Sequence, residues 1–296
     1  MYWRQKVVIE LLGRTPNKSA SKLQLVKWLF LLQKEEQFYL NGSFYDFFPH
    51  KFGPFSFLLY KDLSDMEKAG KIKLIMKNIQ YKNSQKKIIT DRLPKNEVQS
   101  ITNILEKYGS LPENKLLNYV YSTYPWYASR SLLLKTPLKI SSDQLPPAIY
   151  SLGYEGLSID TFLNIILRKD LKRVIDVRNN PFSRKYGFSS NQLKQKCQEI
   201  DIKYYHFPEL GIPSSIRNEN KNIKELWKIY EEAILPNASK STDIVKKLCT
   251  EKASVLLCFE QDPATCHRSI LARYISESTS LPIYHYENVG NRWLKE

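Results

Sequence analysis

The sequence predicts an α/β protein of two domains: a helical winged-helix-like domain, then a three-layer α/β domain with a mostly parallel sheet. Three observations support this prediction. Residues 1–134 carry apolar side chains at helical spacing followed by a basic hairpin pattern. Residues 148–296 alternate short apolar strands with amphipathic helices. Between them, residues 135–147 are punctuated by prolines and lack periodicity, which indicates a linker.

The charge is the most informative feature of the composition. The net charge is +15, and residues 1–140 hold 23 Lys and Arg against 11 Asp and Glu. A basic balance confined to one half indicates a polyanion-binding surface, so we expect nucleic acid, DNA first, as the partner. A Lys-rich surface that only confers solubility is the alternative. No apolar run reaches membrane-spanning length and the N-terminus has no secretory signal pattern, so no membrane partner is expected.

The four cysteines, at positions 197, 249, 258 and 266, show no CxxC spacing. This pattern is typical of reduced thiols and predicts a cytoplasmic protein. Cys258, Cys266 and His267 could in principle share a metal ion, but the spacing of a zinc ribbon is absent. We therefore expect neither a metal nor a cofactor.

In the first domain, helical patterns precede two strand patterns. The predicted helices cover residues 2–12, 21–36, 55–69 and again 94–131, and the predicted strands cover 71–76 and 86–90, bridged by a polar turn. Three helices followed by a basic hairpin is the element order of a winged helix-turn-helix. Trp28 and the aromatic stripes are interpreted as core rather than as surfaces for base stacking.

This half also resembles the Panacea (SocA-like antitoxin) domain over about residues 5–130. The matching motifs are Leu23-Gln-Leu-Val-Lys-Trp-Leu-Phe-Leu-Leu-Gln, Phe52-Gly-Pro-Phe with Leu59-Tyr-Lys-Asp-Leu, and Tyr124-Pro-Trp. The resemblance implies binding to another macromolecule rather than catalysis. A protein partner for the N-terminal domain is therefore an alternative to DNA.

The second domain has five predicted strands and five predicted helices. The strands cover 149–152, 173–177, 203–207, 255–259 and 283–286, and the helices cover 159–167, 191–200, 223–235, 243–249 and 264–276. Asp262 would cap the last helix, with Pro263 in its first turn. Ligands of such sheets bind beyond the carboxyl ends of the strands, and polar residues follow four of these strands directly.

The same strand ends resemble domain of unknown function 488 over about residues 148–290. The matching motifs are Ser151-Leu-Gly-Tyr-Glu-Gly, Val174-Ile-Asp-Val-Arg-Asn-Asn-Pro-Phe-Ser-Arg, Glu209-Leu-Gly, and Cys258-Phe-Glu with Cys266-His-Arg. Gly211-Ile-Pro departs from members that continue with a second glycine, which leaves the shape of that loop open. Members are often associated with DNA repair. The resemblance thus implies a fold and an association with DNA repair, but no particular reaction.

The candidate site residues come from these strand ends. The catalytic candidates are Asp176, Glu260, Glu209 and His267, and the substrate- or phosphate-binding candidates are Arg178, Arg184, Arg268, Tyr154, Ser183 and Cys266. The carboxylates would supply an acid and a base, and the three arginines would converge on one anion. His267 would share the acid–base role or orient Glu260. Cys266 would be a nucleophile with a lowered pKa or, alternatively, a packed thiol.

Carboxylates with phosphate-binding arginines suit cleavage of an N-glycosidic bond in nucleic acid, which predicts a glycosylase-like DNA-repair or base-processing hydrolase. The alternative is a non-enzymatic DNA-binding sensor whose α/β pocket holds a nucleotide or modified base. Asp176 and Glu260 are expected to work as a pair, with one of them protonated near neutral pH. The alternative for Asp176 is that it only anchors Arg178 or a backbone turn.

Overall fold

The computed structural model describes residues 1–36, 38, 44–82, 93–134, 145–219 and 222–286. The chain divides into two compact units, Met1–Ile140 and Ser141–Glu296. The fold is mixed α/β, and the second unit contains the parallel sheet that the sequence predicts. No helix among the described residues is long and apolar enough to cross a membrane.

The described part of the first unit contains six α-helices and two small antiparallel sheets. The helices are α1 (Trp3–Arg14), α2 (Lys22–Glu35), α3 (Phe57–Lys68), α4 (Lys95–Tyr108), α5 (Glu113–Thr123) and α6 (Pro125–Ala128). The strands are β1 (Ser19–Ser21), β2 (Phe48–His50), β3 (Gly53–Phe55), β4 (Ile72–Ile75) and β5 (Asn78–Tyr81). β2 pairs with β3, and the other three form a sheet in the order β1-β5-β4.

Helix α2 lies at the centre of this unit. It begins at a capping box, in which the Ser21 hydroxyl accepts from the Gln24 N–H and the Gln24 side chain accepts from the Ser21 N–H. Its apolar residues are buried nearly all round, as expected for a helix packed on several sides. Trp28 is buried in this core, as the sequence predicts, and its indole N–H donates to the Tyr108 carbonyl.

The hairpin is tighter than the sequence indicates. Ile75 pairs with Asn78, so the turn consists of Met76 and Lys77 only, and Met76 adopts a positive φ of 49°. The turn was not evident from the sequence because neither residue is a glycine, the usual residue at such positions. The strand predicted over 86–90 lies outside the described residues.

The second unit is built on a five-stranded parallel sheet in the order β10-β6-β9-β7-β8. Its strands are β6 (Ile149–Gly153), β7 (Arg173–Asp176), β8 (Lys203–His206), β9 (Ser254–Cys258) and β10 (Ile283–Tyr286). Its helices are α7 (Ile159–Arg168), α8 (Ser190–Glu199), α9 (Ser214–Glu219), α10 (Ile223–Ile229), α11 (Leu235–Asn237), α12 (Ser239–Glu251) and α13 (His267–Thr279). All five strands fall where the sequence predicts them.

Strand alternation separates two faces of this sheet. Ile175 of β7, with Leu256 and Cys258 of β9, packs into an apolar cluster with residues of α10, α12 and α13. Asp176, the next residue of β7, points to the other face. There the Tyr204 hydroxyl of β8 hydrogen-bonds both to Asp176 and to Ser190 of α8. At the ends of these neighbouring strands, side chains therefore enter either the apolar cluster on one face or the polar contacts on the other.

Helix α13 begins later than predicted. Asp262 does cap a turn, since its Oδ1 accepts from the Ala264 N–H at 2.8 Å, but that turn is a short 3₁₀ helix over Pro263–Thr265. The α-helix itself starts at His267. Cys266 is therefore the residue before the helix and not part of its first turn.

Candidate functional site

The loops beyond the carboxyl ends of the strands touch one another closely, and two glycines permit this contact. A Cβ atom on Gly153, the last residue of β6, would lie 1.7 Å from the carbonyl oxygen of Glu260. A Cβ atom on Gly211 would lie 2.0 Å from the backbone nitrogen of Asn179. Both positions accept only glycine unless the backbone moves, so these loops are built as one surface at the sheet edge.

Asp176 is fully buried at the end of β7 and anchors Arg178. Its carboxylate accepts from the Arg178 backbone N–H at 3.1 Å, from the Arg178 Nε at 2.8 Å and from the Tyr204 hydroxyl at 2.6 Å. Arg178 also donates from Nη1 to the Tyr154 hydroxyl at 3.0 Å. Burial alone would lower the pKa of Arg178, but the hydrogen bond and charge of Asp176 outweigh it and raise the pKa. These contacts match the alternative in which Asp176 is an anchor.

Glu260 lies at this edge with 18% of its side chain exposed. Its Oε1 accepts from Arg217 Nη1 at 2.8 Å, and its Oε2 lies 3.1 Å from Cys258 Sγ. Burial would raise the pKa of Glu260, but hydrogen bonds from Arg217, from the backbone and from the Cys266 and Cys258 thiols hold it to about 2. Glu260 is therefore ionised at neutral pH, so it is not the protonated member of the expected carboxylate pair.

Asp176 and Glu260 do not form the expected pair. Strands β7 and β9 are neighbours, but Asp176 pairs with Leu257, so Glu260 lies three residues further along the chain, in the loop. Asp176 faces Tyr204, whereas Glu260 contacts Cys258, whose side chain packs on the opposite face of the sheet. Among the described residues, the two carboxylates have no hydrogen-bonding partner in common.

Cys258, Cys266 and His267 form a buried cluster, in which one ligand atom from each lies within 4.8 Å of the other two. His267 Nε2 lies 3.1 Å from the Val177 carbonyl oxygen, and its Nδ1 lies 3.8 Å from Cys258 Sγ. Since a carbonyl oxygen only accepts, Nε2 carries a proton, and in the neutral imidazole Nδ1 then presents its lone pair to the thiols. His267 is thus oriented by the backbone, and its contacts are with the thiols.

The environment of Cys266 contradicts a lowered pKa. The side chain is buried, and burial, with a hydrogen bond to Cys258, raises the pKa of the thiol despite the opposing effect of His267. A thiol in this state is a poor nucleophile, so the packed-thiol alternative fits the structure. All four cysteines are free thiols and buried.

The three candidate arginines are not gathered into a clamp. Arg268 is fully buried and donates from Nη1 and Nη2 to the carbonyl oxygens of Glu260 and Gln261, at 2.5 and 2.9 Å. Arg178 is held by Asp176, and the side chain of Arg184 is exposed. Carbonyl groups turned inward by a tight loop need donors, and Arg268 supplies them. Among the described residues, its side-chain contacts are with this loop and with the Ser151 hydroxyl.

The remaining candidates, Tyr154, Ser183 and Glu209, also follow strands of the sheet. Tyr154 is buried and stacks on Phe188, with ring centroids 4.2 Å apart. The Ser183 hydroxyl accepts locally from the Lys185 N–H, and Glu209 is exposed in the turn after β8.

Three residues at the edge were missed by sequence reasoning. Phe182 and Phe259 are 72% and 45% exposed, and Arg217 pairs with Glu260. The signal for the phenylalanines was their position in loops that directly follow β7 and β9. Nothing in the spacing of Arg217 indicated its contact, because α9 reaches Glu260 only through the fold.

These features define an α/β domain with a parallel sheet and a candidate site at its carboxyl edge. Residues 158–275 match the family model described as Domain of unknown function DUF488, a range that runs from the start of α7 into α13 and includes Asp176, Glu260 and the thiol cluster. No curated protein and no solved structure matches the chain.

Proposed function

We propose that this protein cleaves an N-glycosidic bond in nucleic acid, with the carboxylate of Glu260 at the reacting centre. The observation that carries the proposal is the part-exposed Glu260 carboxylate, ion-paired with Arg217 at the carboxyl edge of the sheet. Departure of a base leaves positive charge on the sugar ring, and a preformed carboxylate stabilises that charge. The same oxygen atoms can orient the attacking water.

Two exposed aromatic rings support a nucleobase as the leaving group. Phe182 and Phe259 lie in the loops after two neighbouring strands, and Phe259 also contacts Tyr154 edge-on at 5.4 Å. Bases extruded from a duplex are commonly held by stacking on such rings. In this proposal Arg184 contacts phosphate, and the Asp176–Arg178–Tyr154 network positions the loop without touching the substrate.

We further propose that the first unit is a winged helix that delivers the protein to DNA. The support is the order of α1, β1, α2, α3 and the β4–β5 hairpin, with β5 between β1 and β4 in the sheet. Met76, at the tip of the hairpin, is 89% exposed, and Lys77 lies beside it. The net basic charge of residues 1–140 supports phosphate contacts. A Panacea-like protein-binding role stays the alternative for this unit, and a cytoplasmic location is part of the proposal.

The test is base release by the full chain. Genomic DNA, single-stranded DNA and RNA are incubated separately with wild type and with Glu260→Gln; abasic sites are counted with an alkoxyamine probe and free bases by mass spectrometry. We expect release by wild type and a loss of about 100-fold or more in the variant, with unchanged nucleic-acid affinity. The matched control is Glu251→Gln, because Glu251 pairs with Arg173 at the opposite edge of the sheet.

The same experiment tests the alternative of a non-enzymatic sensor. That reading is favoured by the Asp176–Arg178 network, whose charges are satisfied inside the unit. If folded wild type binds DNA but releases no base, the glycosidic proposal fails and the sensor remains. Equal release by wild type and Glu260→Gln would remove Glu260 from the reaction.

A further inference from the structure

We infer that Cys258, Cys266 and His267 form a binding site for a divalent metal ion. The chemistry of the three ligands indicates that this ion is Zn²⁺. The ligand atoms come from two segments, the end of β9 and the start of α13, and they converge within 4.8 Å of one another. All three side chains are buried. Among the residues that the structure describes, this is the group of potential metal ligands whose ligand atoms lie this close together.

The orientation of His267 is that of a metal ligand. Its Nε2–H donates to the Val177 carbonyl oxygen, which leaves the Nδ1 lone pair directed at Cys258 Sγ, 3.8 Å away. Histidines that bind metals almost always donate their other ring N–H to a carbonyl or carboxylate, which sets the tautomer and the ring plane. Here the acceptor is the residue that follows β7, the strand next to β9, so the imidazole is positioned before any ion arrives.

The donor set selects the ion. Two thiols and one imidazole suit Zn²⁺, whereas Mg²⁺ and Ca²⁺ require oxygen ligands. Binding converts both thiols to thiolates and releases two protons to solvent, so the two thiolate charges balance the charge of the ion. Burial disfavours isolated thiolates, and the cation compensates for them.

The carboxylate of Glu260 lies beside these ligands. Its Oε2 lies 3.1 Å from Cys258 Sγ, and the carboxylate is part-exposed to solvent. Three protein ligands would leave one coordination position of Zn²⁺ for another ligand, as in catalytic zinc sites, whereas structural sites use four protein ligands. The site therefore binds the ion beside the carboxylate of the proposed function, but metal binding itself does not depend on that function.

The first test is metal binding by the reduced, full-length protein. The apoprotein is prepared with a chelator under reducing conditions and titrated with Co²⁺, whose thiolate charge-transfer band and intense visible bands report tetrahedral sulfur coordination. We expect one equivalent to bind and Zn²⁺ to displace it. Cys258→Ala, Cys266→Ala and His267→Gln should each weaken binding at least about 10-fold, the lower range for disturbed metal sites.

Two other cysteines provide matched controls. Cys197 and Cys249 are equally buried in the same unit, so Cys197→Ala and Cys249→Ala make the same change elsewhere and should retain the Co²⁺ spectrum. Thermal unfolding adds a second readout that does not need the spectrum. Zn²⁺ should raise the melting temperature of wild type and of both controls, but not that of the three ligand variants.

Two results would overturn the inference. One is the absence of the sulfur–cobalt band in reduced, folded wild type. The other is an air-stable Cys258–Cys266 disulfide that persists in place of metal binding, seen as the loss of two titratable thiols. Neither result would bear on base release, so failure of this site and failure of the proposed function are distinguishable.

Discussion

The guanidinium of Arg268 holds Glu260 by its backbone. Nη1 donates to the Glu260 carbonyl oxygen at 2.5 Å and Nη2 to the next carbonyl at 2.9 Å, while Nε lies 3.4 Å from the Ser151 hydroxyl. The same Glu260 carbonyl is the group that a side chain on Gly153 would strike. Arg268, through its hydrogen bonds to the loop, and Gly153, through its close contact with the Glu260 carbonyl, therefore fix the backbone that carries the Glu260 carboxylate.

We expect Arg268→Lys to destabilise the protein although it keeps the charge. A lysine ammonium cannot bridge two carbonyls with a planar fork, so one buried acceptor is left unsatisfied, which costs about 1–3 kcal/mol. Urea unfolding measures the loss. The control is Arg273→Lys on the same helix, where the exposed pair with Glu231 should change stability by less than about 0.5 kcal/mol. Equal effects of the two variants would contradict the assigned role of Arg268.

Asp176→Asn should be strongly destabilising because it leaves the buried Arg178 guanidinium without its charge partner. Breaking one side of a buried ion pair costs about 3–5 kcal/mol. The matched control Asp243→Asn removes a surface pair with Lys246 and should have little effect. The double variant Asp176→Asn with Arg178→Met should recover part of the loss. A mild single variant with abolished base release would instead make Asp176 catalytic.

Lys27 should make the stability of the first unit depend on pH. Burial lowers the pKa of its ammonium from 10.5 to about 7, and its Nζ donates to the Phe52 carbonyl oxygen at 2.6 Å. Between pH 7 and 10.5 the unfolded chain therefore holds a proton that the folded chain has released, so stability rises with pH across this window. Below pH 7 both states hold the proton and the contribution is flat.

The measurement is urea unfolding at several pH values for wild type and Lys27→Met. The variant should lose a rise of about 5 kcal/mol across the window, so it should be the more stable protein at pH 6 and lose that advantage as pH increases. Lys68→Met, at the exposed end of α3, should retain the wild-type slope. Parallel pH profiles for wild type and Lys27→Met would show that Lys27 keeps its proton when folded.

If the β4–β5 hairpin contacts phosphate, charge reversal there should weaken DNA binding by the full chain. Lys73→Glu with Lys77→Glu should lower the affinity and reduce the slope of log K against log salt by about one for each lysine that contacts phosphate. Fluorescence anisotropy across a salt series measures both quantities. Lys240→Glu with Lys247→Glu on α12 makes the same change in net charge and should leave the slope nearly unchanged. An equal loss in both double variants would indicate a general charge effect.

Sequence patterns determined the architecture of the second unit. Most of its strands are short runs rich in apolar or aromatic residues, and the run spacing left room for a helix between successive strands, as the crossover connections of a parallel sheet need. The polar residues that follow the strands lie at the carboxyl edge of the sheet because the strands are parallel. The interior of the first unit was also evident, because α2 is apolar on nearly every side.

Only the tertiary structure decided what those polar residues do. Strand register and alternation placed Asp176 and Cys258 on opposite faces, a relation that depends on which residues pair across β7 and β9. The loop after β9 folded back and brought Cys266 and His267 to Cys258 across an eight-residue separation that matches no zinc-ribbon spacing. Local sequence determines periodicity, whereas convergence of side chains depends on long-range pairing and loop path. The sheet was therefore evident from the sequence, whereas the contact among Cys258, Cys266 and His267 depends on the tertiary structure.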